Sequence, residues 1–359
     1  MGRRHITIVL AAGLCLIPAH GSVYADDMLV PDTEEVVEEA PAISYDGGED
    51  LVSSDGLFEV VSESSSKEGK TLEDVIPAPQ VTPVPASPPS PNLTVETLKP
   101  YPGPFEAMAD YLDEYLQADY RYYSDTLFYT CTKHETEDSA YYLTHIVVKD
   151  AKQICGEDSE GDFGGARETP KDAASRTGAK LLINGSYFDY GTGYATGGEL
   201  LIRDNKVIHG EYSDGYEICL RRDGTLFSPG YNTVSSVLAQ DVVFSWGTCE
   251  DLLIRDGEKC VLTDYDWNGN TYPRTAVGMV RPLEYYIITA GGADYSKGIT
   301  VYDEQEIFSG LGCAYARGLD GGGSSALVID GEYVNENGDR LADGTLMRRA
   351  AADFLLFRE

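Results

Sequence analysis

The chain has 359 residues, with 60 Asp and Glu against 27 Lys and Arg and a formal net charge of −33. That charge excludes ordinary phosphate-backbone binding over the protein as a whole, so nucleic acid is not among its expected partners. The length exceeds one average domain without clearly reaching two.

Residues 1–25 read as a secretory signal peptide. Arg3, Arg4 and His5 precede an apolar run from Ile6 to Pro18, and Val23-Tyr24-Ala25 has the small-residue spacing of a signal-peptidase site, predicting cleavage before Asp26. The run is far short of the roughly 20 residues that span a bilayer. No later segment is apolar enough to cross, so no transmembrane segment is expected and the protein reads as secreted or cell-surface. Cys15 follows Leu14 rather than Gly or Ala, which fits a lipoprotein signal poorly. Without Cys15, Cys131, Cys155, Cys219, Cys249, Cys260 and Cys313 remain. Their even number permits disulfides without fixing a pairing, and with no CxxC pair zinc is not suggested.

Residues 26–103 form an acidic, Pro/Ser-rich segment. Glu34, Glu35, Glu38 and Glu39 cluster, serines concentrate from Ser62 to Ser66, and Pro77 to Pro91 is proline-rich. Such a composition cannot bury enough apolar surface to offset its ordering entropy, which predicts a disordered, self-repelling spacer. It could hold the folded part away from a membrane or wall, giving a cell-surface association. Over residues 104–124, Phe105, Met108, Ala109, Leu112, Tyr115 and Leu116 recur at helical spacing and predict an amphipathic helix from Pro104 to Arg121. Residues 125–359 then form the main domain.

Asp125–Lys133 and Tyr141–Lys149 alternate and are rich in β-formers, predicting a strand pair. Thr169-Pro170 caps and opens a helix that Gly178 closes, and the buried strand Ala179–Ile183 delivers Asn184-Gly185-Ser186-Tyr187-Phe188-Asp189. The same order recurs when Thr300 caps a helix through Asp303 to Phe308, Gly310 ends it, and Ala314–Leu319 leads into Asp320. Two αβ units therefore end in polar loops, the end at which open sheets favour ligands. LIRDNKVI, CLRRDGTLF, LIRDGEKCVL and LVIDGEYV each place an Asp-Gly or Asp-Asn turn between apolar runs, predicting four hairpins. With Asp256-Gly257 as a turn, Cys260 faces Leu253 and not Cys249. The fold class is α+β: a mixed sheet rich in hairpins with a few packed helices, in one catalytic domain.

Polar groups concentrate beside glycine in four places: Asn184–Asp189, Gly197-Gly198-Glu199, Tyr272-Pro273-Arg274-Thr275, and Asp320–Ser324. Gly321, Gly322 and Gly323 allow positive φ and close backbone approach. Arg274, between Pro273 and an apolar strand, is either a bidentate phosphate grip or a salt bridge to one of the many carboxylates.

INGSYFD, YPRTAVG and LDGGGSS, in that order, resemble the blocks of the phosphodiester glycosidase family, and the likeness runs from about Asp125 to Glu359 with LIRDNKVI and the closing run Arg348–Phe357. The resemblance implies hydrolysis of a sugar α-1-phosphodiester, and bacterial members are associated with exopolysaccharide or cell-wall metabolism. The expected partner is thus a carbohydrate phosphodiester in a surface polysaccharide or glycoconjugate. Ser186 stands where the family often has glycine or aspartate, and Gly318 where asparagine usually precedes Leu-Asp-Gly-Gly-Gly.

An oxocarbenium-like transition state needs a carboxylate at the anomeric carbon, and a phosphodiester leaving group needs little acid help. Asp320 is the first candidate for that carboxylate, Asp189 and Glu199 for its partner, and Arg274 for a phosphate clamp. Asn184, Gly185, Thr275, Gly321, Gly322, Gly323 and Ser324 are the candidate substrate-binding residues. The residues require no cofactor. Two alternatives stay open: a noncatalytic glycan-binding module on the same fold, and a carbohydrate hydrolase holding a divalent cation through Asp189, Glu199 and Asp320. His134, His145 and His209 stand without a spaced partner and read as ordinary strand or turn residues.

Overall fold

Short apolar runs cut by Asp-Gly and Asp-Asn turns favour hairpins, and hairpins dominate the computed structural model. It describes residues 111–136, 139–188, 200–291, 298–336, 338–340 and 343–359. The expected signal and spacer, the start of the expected first helix, Asp189 and Gly197-Gly198-Glu199 lie outside these.

The first helix is described over Leu112–Gln117 (α1), leading into β1 (Tyr120–Tyr123), β2 (Leu127–Glu135) and β3 (Ala140–Val148). β2 and β3 are the expected strand pair, antiparallel from Leu127↔Val148 to Glu135↔Ala140. After β4 (Ile154–Asp158), Thr169 caps α2 (Pro170–Thr177) by accepting the Asp172 N–H, and Gly178 ends it at φ 68°. Then come β5 (Leu181–Asn184), β6 (Leu201–Arg203), β7 (Lys206–His209), β8 (Tyr212–Asp214), β9 (Glu217–Arg221), β10 (Leu226–Phe227) and β11 (Tyr231–Thr233). The short helix α3 (Val234–Leu238) precedes β12 (Val242–Gly247), β13 (Leu252–Arg255), β14 (Glu258–Lys259), β15 (Arg274–Arg281) and β16 (Glu284–Ala290). Thr300 and Asp303 form a capping box at the start of α4 (Val301–Gly310), with Thr300 the cap as expected. The chain closes through β17 (Tyr315–Gly318), β18 (Leu327–Ile329), β19 (Glu332–Tyr333), β20 (Asp339–Arg340), β21 (Leu346–Met347) and β22 (Asp353–Phe357).

All four hairpins form. Asp204-Asn205, Asp256-Gly257 and Asp330-Gly331 take positive φ at both central residues, as a type I′ turn requires. The Cys260 N–H donates to Leu253 O at 2.9 Å, so that pair faces as expected. Cys260 and the other five described cysteines are free thiols.

An eight-stranded sheet has the order β1-β2-β3-β16-β15-β17-β13-β14, and a five-stranded sheet β19-β18-β5-β22-β4. A three-stranded sheet, β10-β9-β12, accompanies them. Every ladder joining strands of these sheets is antiparallel. Strand alternation sorts the side chains into layers. Tyr129, Val277 and Met279 from the first sheet meet Ile183, Leu355 and Phe357 from the second in one core, with Trp246 and Ile218 from the third. On the opposite faces, Ala276 and Ile288 pack on Val301 and Phe308 of α4, while Leu182, Phe354 and Leu356 pack on Ala173 and Ala174 of α2. The result is a sandwich with a helix on each outer face.

β5 and β17 deliver their polar loops as expected, but from different sheets and antiparallel to their neighbours. The Asp320 N–H donates to Gly185 O at 3.1 Å, so the loops meet across the seam between the sheets. The candidate site therefore lies at one end of a sandwich, not at the switch point of an open α/β sheet.

Candidate active site

A cleft of about 340 Å³ opens at this seam, lined by Tyr187, Cys249, Glu250, Trp267, Tyr272, Pro273, Arg274, Asp320, Gly321 and Gly322. Asp320, reached directly from β17, is 8% exposed. Gly321 N–H donates to its Oδ1 at 3.0 Å. Burial raises its proton affinity to about 6, against the opposing effects of a Ser324 hydrogen bond and the Arg349 charge. Arg349 is itself paired with Asp339 and donates to Ser324 Oγ at 3.2 Å. Near neutral pH Asp320 is thus an ionised but poorly solvated carboxylate.

Asn184 works beneath the cleft. Fully buried at the end of β5, it donates to Asp320 O at 2.7 Å and accepts from Thr275 Oγ1 at 2.8 Å and Ala326 N at 3.0 Å. One amide thereby ties β5, β15 and the glycine turn together. Thr275 is buried, and its hydroxyl is committed to Asn184. Gly185 lies against Asp353, where a Cβ would stand 2.3 Å from Oδ1. Ser186 grips the same carboxylate through its N–H and hydroxyl at 2.6 and 2.7 Å. The turn itself closes internally: Gly322 N–H donates to Pro273 O at 2.8 Å, and Gly322–Ser324 form a 3-10 turn. Of the expected substrate-binding residues, Gly321 and Gly322 line the cleft; Asn184, Gly185, Thr275, Gly323 and Ser324 do not.

Arg274 opens β15 and is 3% exposed. Its Nε donates to Ile299 O at 2.8 Å, Nη1 to both Glu250 carboxylate oxygens at 3.0 and 3.3 Å, and Nη2 to Trp267 O and Asn270 O at 2.9 and 3.3 Å. All three guanidinium nitrogens thus donate to protein acceptors. Of the two readings of this arginine, the geometry is that of the salt bridge, and its partner is Glu250.

Glu250 is a site residue that the sequence reading did not single out. It is 4% exposed, and burial raises its proton affinity to about 7 despite the nearby Arg274. Arg317 Nε and Nη2 hold its backbone carbonyl, while Thr248 Oγ1 accepts its N–H at 2.9 Å and donates to Gly318 O at 2.7 Å. Gly318 makes room for it: a Cβ there would stand 2.8 Å from both Cβ and Cγ of Glu250. The glycine at position 318 therefore has a local reason. Asp320 and Glu250 face one cleft and act on each other electrostatically.

Behind Glu250 lies Glu304 of α4, wholly buried, with no hydrogen-bond partner for either carboxylate oxygen among the described residues. Burial and the Glu250 charge raise its proton affinity to about 8. A sequence signal existed, since Val301, Glu304, Gln305 and Phe308 are spaced as one helical face and all four are buried. Among the described residues no group of three or more His, Cys, Asp or Glu side chains is arranged to hold a metal ion. Asp189 and Glu199 are outside that search.

The model of the phosphodiester glycosidase family matches residues 177–358. The chain belongs to the phosphodiester glycosidase family. The SPbeta prophage-derived uncharacterized protein YomE of Bacillus subtilis (strain 168) is 28% identical over 267 residues, covering 65% of this chain and 39% of YomE. N-acetylglucosamine-1-phosphodiester alpha-N-acetylglucosaminidase of Mus musculus is 25% identical over 199 residues, 49% of this chain and 37% of the mouse protein. The chain thus spans about two fifths of the length of these relatives. The catalytic domain of the zebrafish N-acetylglucosamine-1-phosphodiester alpha-N-acetylglucosaminidase, in a structure auto-inhibited by its pro-peptide, superposes with a TM-score of 0.57 at 22% identity. That match covers 66% of this chain and 84% of the zebrafish domain and shows the shared fold.

Proposed function

We propose that the protein is a secreted hydrolase cleaving the sugar α-1-phosphodiester bond of a surface polysaccharide or glycoconjugate. The observation that carries this reading is the pair of buried carboxyls, Asp320 and Glu250, on the wall of one cleft, on a chain of this family. Asp320 supplies the negative charge that a developing oxocarbenium ion needs. Glu250 takes the proton of the attacking water as the water oxygen bonds to the anomeric carbon, and the carbon–oxygen bond to phosphate breaks with its electron pair leaving on the phosphate. Tyr187, Trp267 and Tyr272 offer aromatic surface for a sugar ring. Arg274, ion-paired with Glu250, keeps that carboxylate in place. The predicted signal peptide, residues 1–25, supports export; no helix among the described residues is long and apolar enough to cross a membrane.

The test is release of phosphomonoester and reducing sugar from a panel of sugar α-1-phosphodiesters. Wild type turns over at least one of them, and Glu250→Gln lowers kcat on it by about 10²–10³-fold, as for loss of a positioned acid–base group. Saturable glycan binding without turnover would favour the noncatalytic module. Loss of turnover in a chelator would favour the divalent-cation enzyme.

A further inference from the structure

Behind the cleft, Glu250, Glu304 and Arg274 form a desolvated unit with one permanent positive charge. A buried guanidinium balances one carboxylate; a second carboxylate without a counter-charge would cost several kcal/mol. The hydrogen bonds decide which acid is ionised. Glu250 receives both Nη1 contacts of Arg274, at 3.0 and 3.3 Å. Glu304 receives none, and its two oxygens are wholly buried without a hydrogen-bond partner among the described residues.

We propose that Glu304 is a positioning residue that holds a proton behind the cleft, keeping the three-residue unit neutral and leaving Glu250 ionised in the grip of Arg274. The inference rests on the reading of Glu250 as the proton acceptor. α4 brings Glu304 there because Gln305, its neighbour on the same face, donates to Leu253 O at 2.9 Å and Cys260 O at 2.8 Å, fixing the helix against β13. The charges acting on Glu304 are Glu250, Arg274 and, from its own helix, Asp303. Those acting on Glu250 besides Arg274 are Asp251, Asp320 and Arg317. The charged groups of β13 and β14, Arg255, Glu258 and Lys259, are exposed, as is Asp266; Lys259 pairs with Glu306 at 2.6 Å.

The proton has a consequence for turnover. While Glu304 is neutral, Arg274 has one carboxylate to hold and Glu250 keeps its place under Gly318. Loss of this proton, near pH 8, sets a second anion against the first and draws Arg274 away from Glu250.

The experiment is the pH dependence of kcat/KM for wild type and Glu304→Gln, read on the full chain with a sugar α-1-phosphodiester. Wild type loses activity as pH rises through the last titration of the pair. Glutamine cannot ionise, so in the variant that alkaline limb is absent or moved up by at least about one pH unit, roughly a tenfold gain over wild type at the alkaline end. An alkaline limb at the same pH in both proteins overturns the proposal, because a residue that only fills space would leave it there. Infrared spectroscopy with 13C-labelled glutamate reads the same proton without substrate, as the band that wild type shows and Glu304→Gln lacks. A protonated glutamic acid band must persist at neutral pH and vanish as pH rises past about 8; its absence at neutral pH also overturns the proposal. Failure of the Glu250 reading looks different: Glu250→Gln would then keep its activity whatever the infrared result.

Discussion

Two clusters in this molecule each set two carboxylates around a buried cation, with opposite electrostatic outcomes. At the junction of α1 with the eight-stranded sheet, His145 is 1% exposed, with Nδ1 3.2 Å from Glu114 Oε2 and Nε2 3.2 Å from Glu284 Oε1. Each acid has further help: Tyr111 donates to Glu284 at 2.6 Å, Arg281 Nε lies 2.7 Å from its other oxygen, and Thr130 donates to Glu114. The imidazole stacks on Tyr286 with ring centroids 4.3 Å apart. Burial alone would disfavour all three charges. The hydrogen bonds and mutual attraction outweigh it, raising His145 and lowering Glu114 and Glu284. At the cleft, Arg274 serves Glu250 alone, Glu304 has no hydrogen bond, and both acids are raised. A cluster whose acids are ion-paired holds the fold together, whereas an acid with no hydrogen bond keeps a proton at neutral pH.

The comparison can be broken in four ways. The largest effect is expected on the cleft side. Asp320→Asn keeps the shape and removes the charge, and should lower kcat by about 10⁴-fold, on the order of 5 kcal/mol of transition-state stabilisation, with little change in melting temperature. A near-normal rate of phosphodiester cleavage would remove Asp320 from the chemistry. His145→Ala should do the reverse. It removes the charge shared by Glu114, which is partly exposed, and Glu284, which keeps Arg281 and Tyr111, costing about 1–3 kcal/mol in denaturant unfolding while the folded fraction keeps its specific activity. A variant that melts normally but loses activity would invert the two roles.

Gly318→Ala comes third. The added methyl has to push Glu250 aside, which should cost about 1–3 kcal/mol of stability and lower kcat about tenfold without a matching rise in KM. Unchanged kinetics would mean that the position of Glu250 under Gly318 is not needed for turnover.

The smallest effect is the pH dependence of stability. Glu250 and Glu304 have folded values of about 7 and 8, above their ordinary 4.5, so their contribution is full below 4.5 and lost as pH rises through 7 and 8. His145, also raised, contributes fully below its ordinary 6.5 and less as pH climbs past its folded value. Glu114 and Glu284 are lowered, so theirs is present above 4.5 and lost as pH falls through their folded values. The melting temperature should therefore peak in weak acid and fall by on the order of a few degrees towards pH 8, less steeply in Glu304→Gln. A flat or rising profile over that range would contradict the raised acids.

The legible features of the sequence were the local ones. Asp256-Gly257 and Asp330-Gly331 announced their hairpins through backbone conformation alone, and Thr169 and Thr300 announced their helices through single hydrogen bonds. Asp320 could be found because a glycine turn marks its position. Glu250 could not, because nothing in Thr248-Cys249-Glu250-Asp251 separates it from a solvated charge until β17 folds Gly318 beneath it. Arg274 showed an unusual setting but not its partner, which lies 24 residues away in the chain. His145 reads as an ordinary strand residue until α1 brings Glu114 and β16 brings Glu284 to its two nitrogens.

Asn184-Gly185 is one of three Asn-Gly dipeptides in the domain, a chemically perishable pair. An asparagine followed by glycine readily cyclises, the glycine nitrogen attacking the side-chain amide and expelling ammonia, and water reopens the ring to a carboxylate. Here the fold opposes that ageing. The Gly185 N–H is held by Asp353 O at 3.0 Å, and the Asn184 amide is held on both its nitrogen and its oxygen. Stored folded, the protein should keep its amide; stored partly unfolded, it would place a new negative charge at the junction of its two sheets and refold poorly.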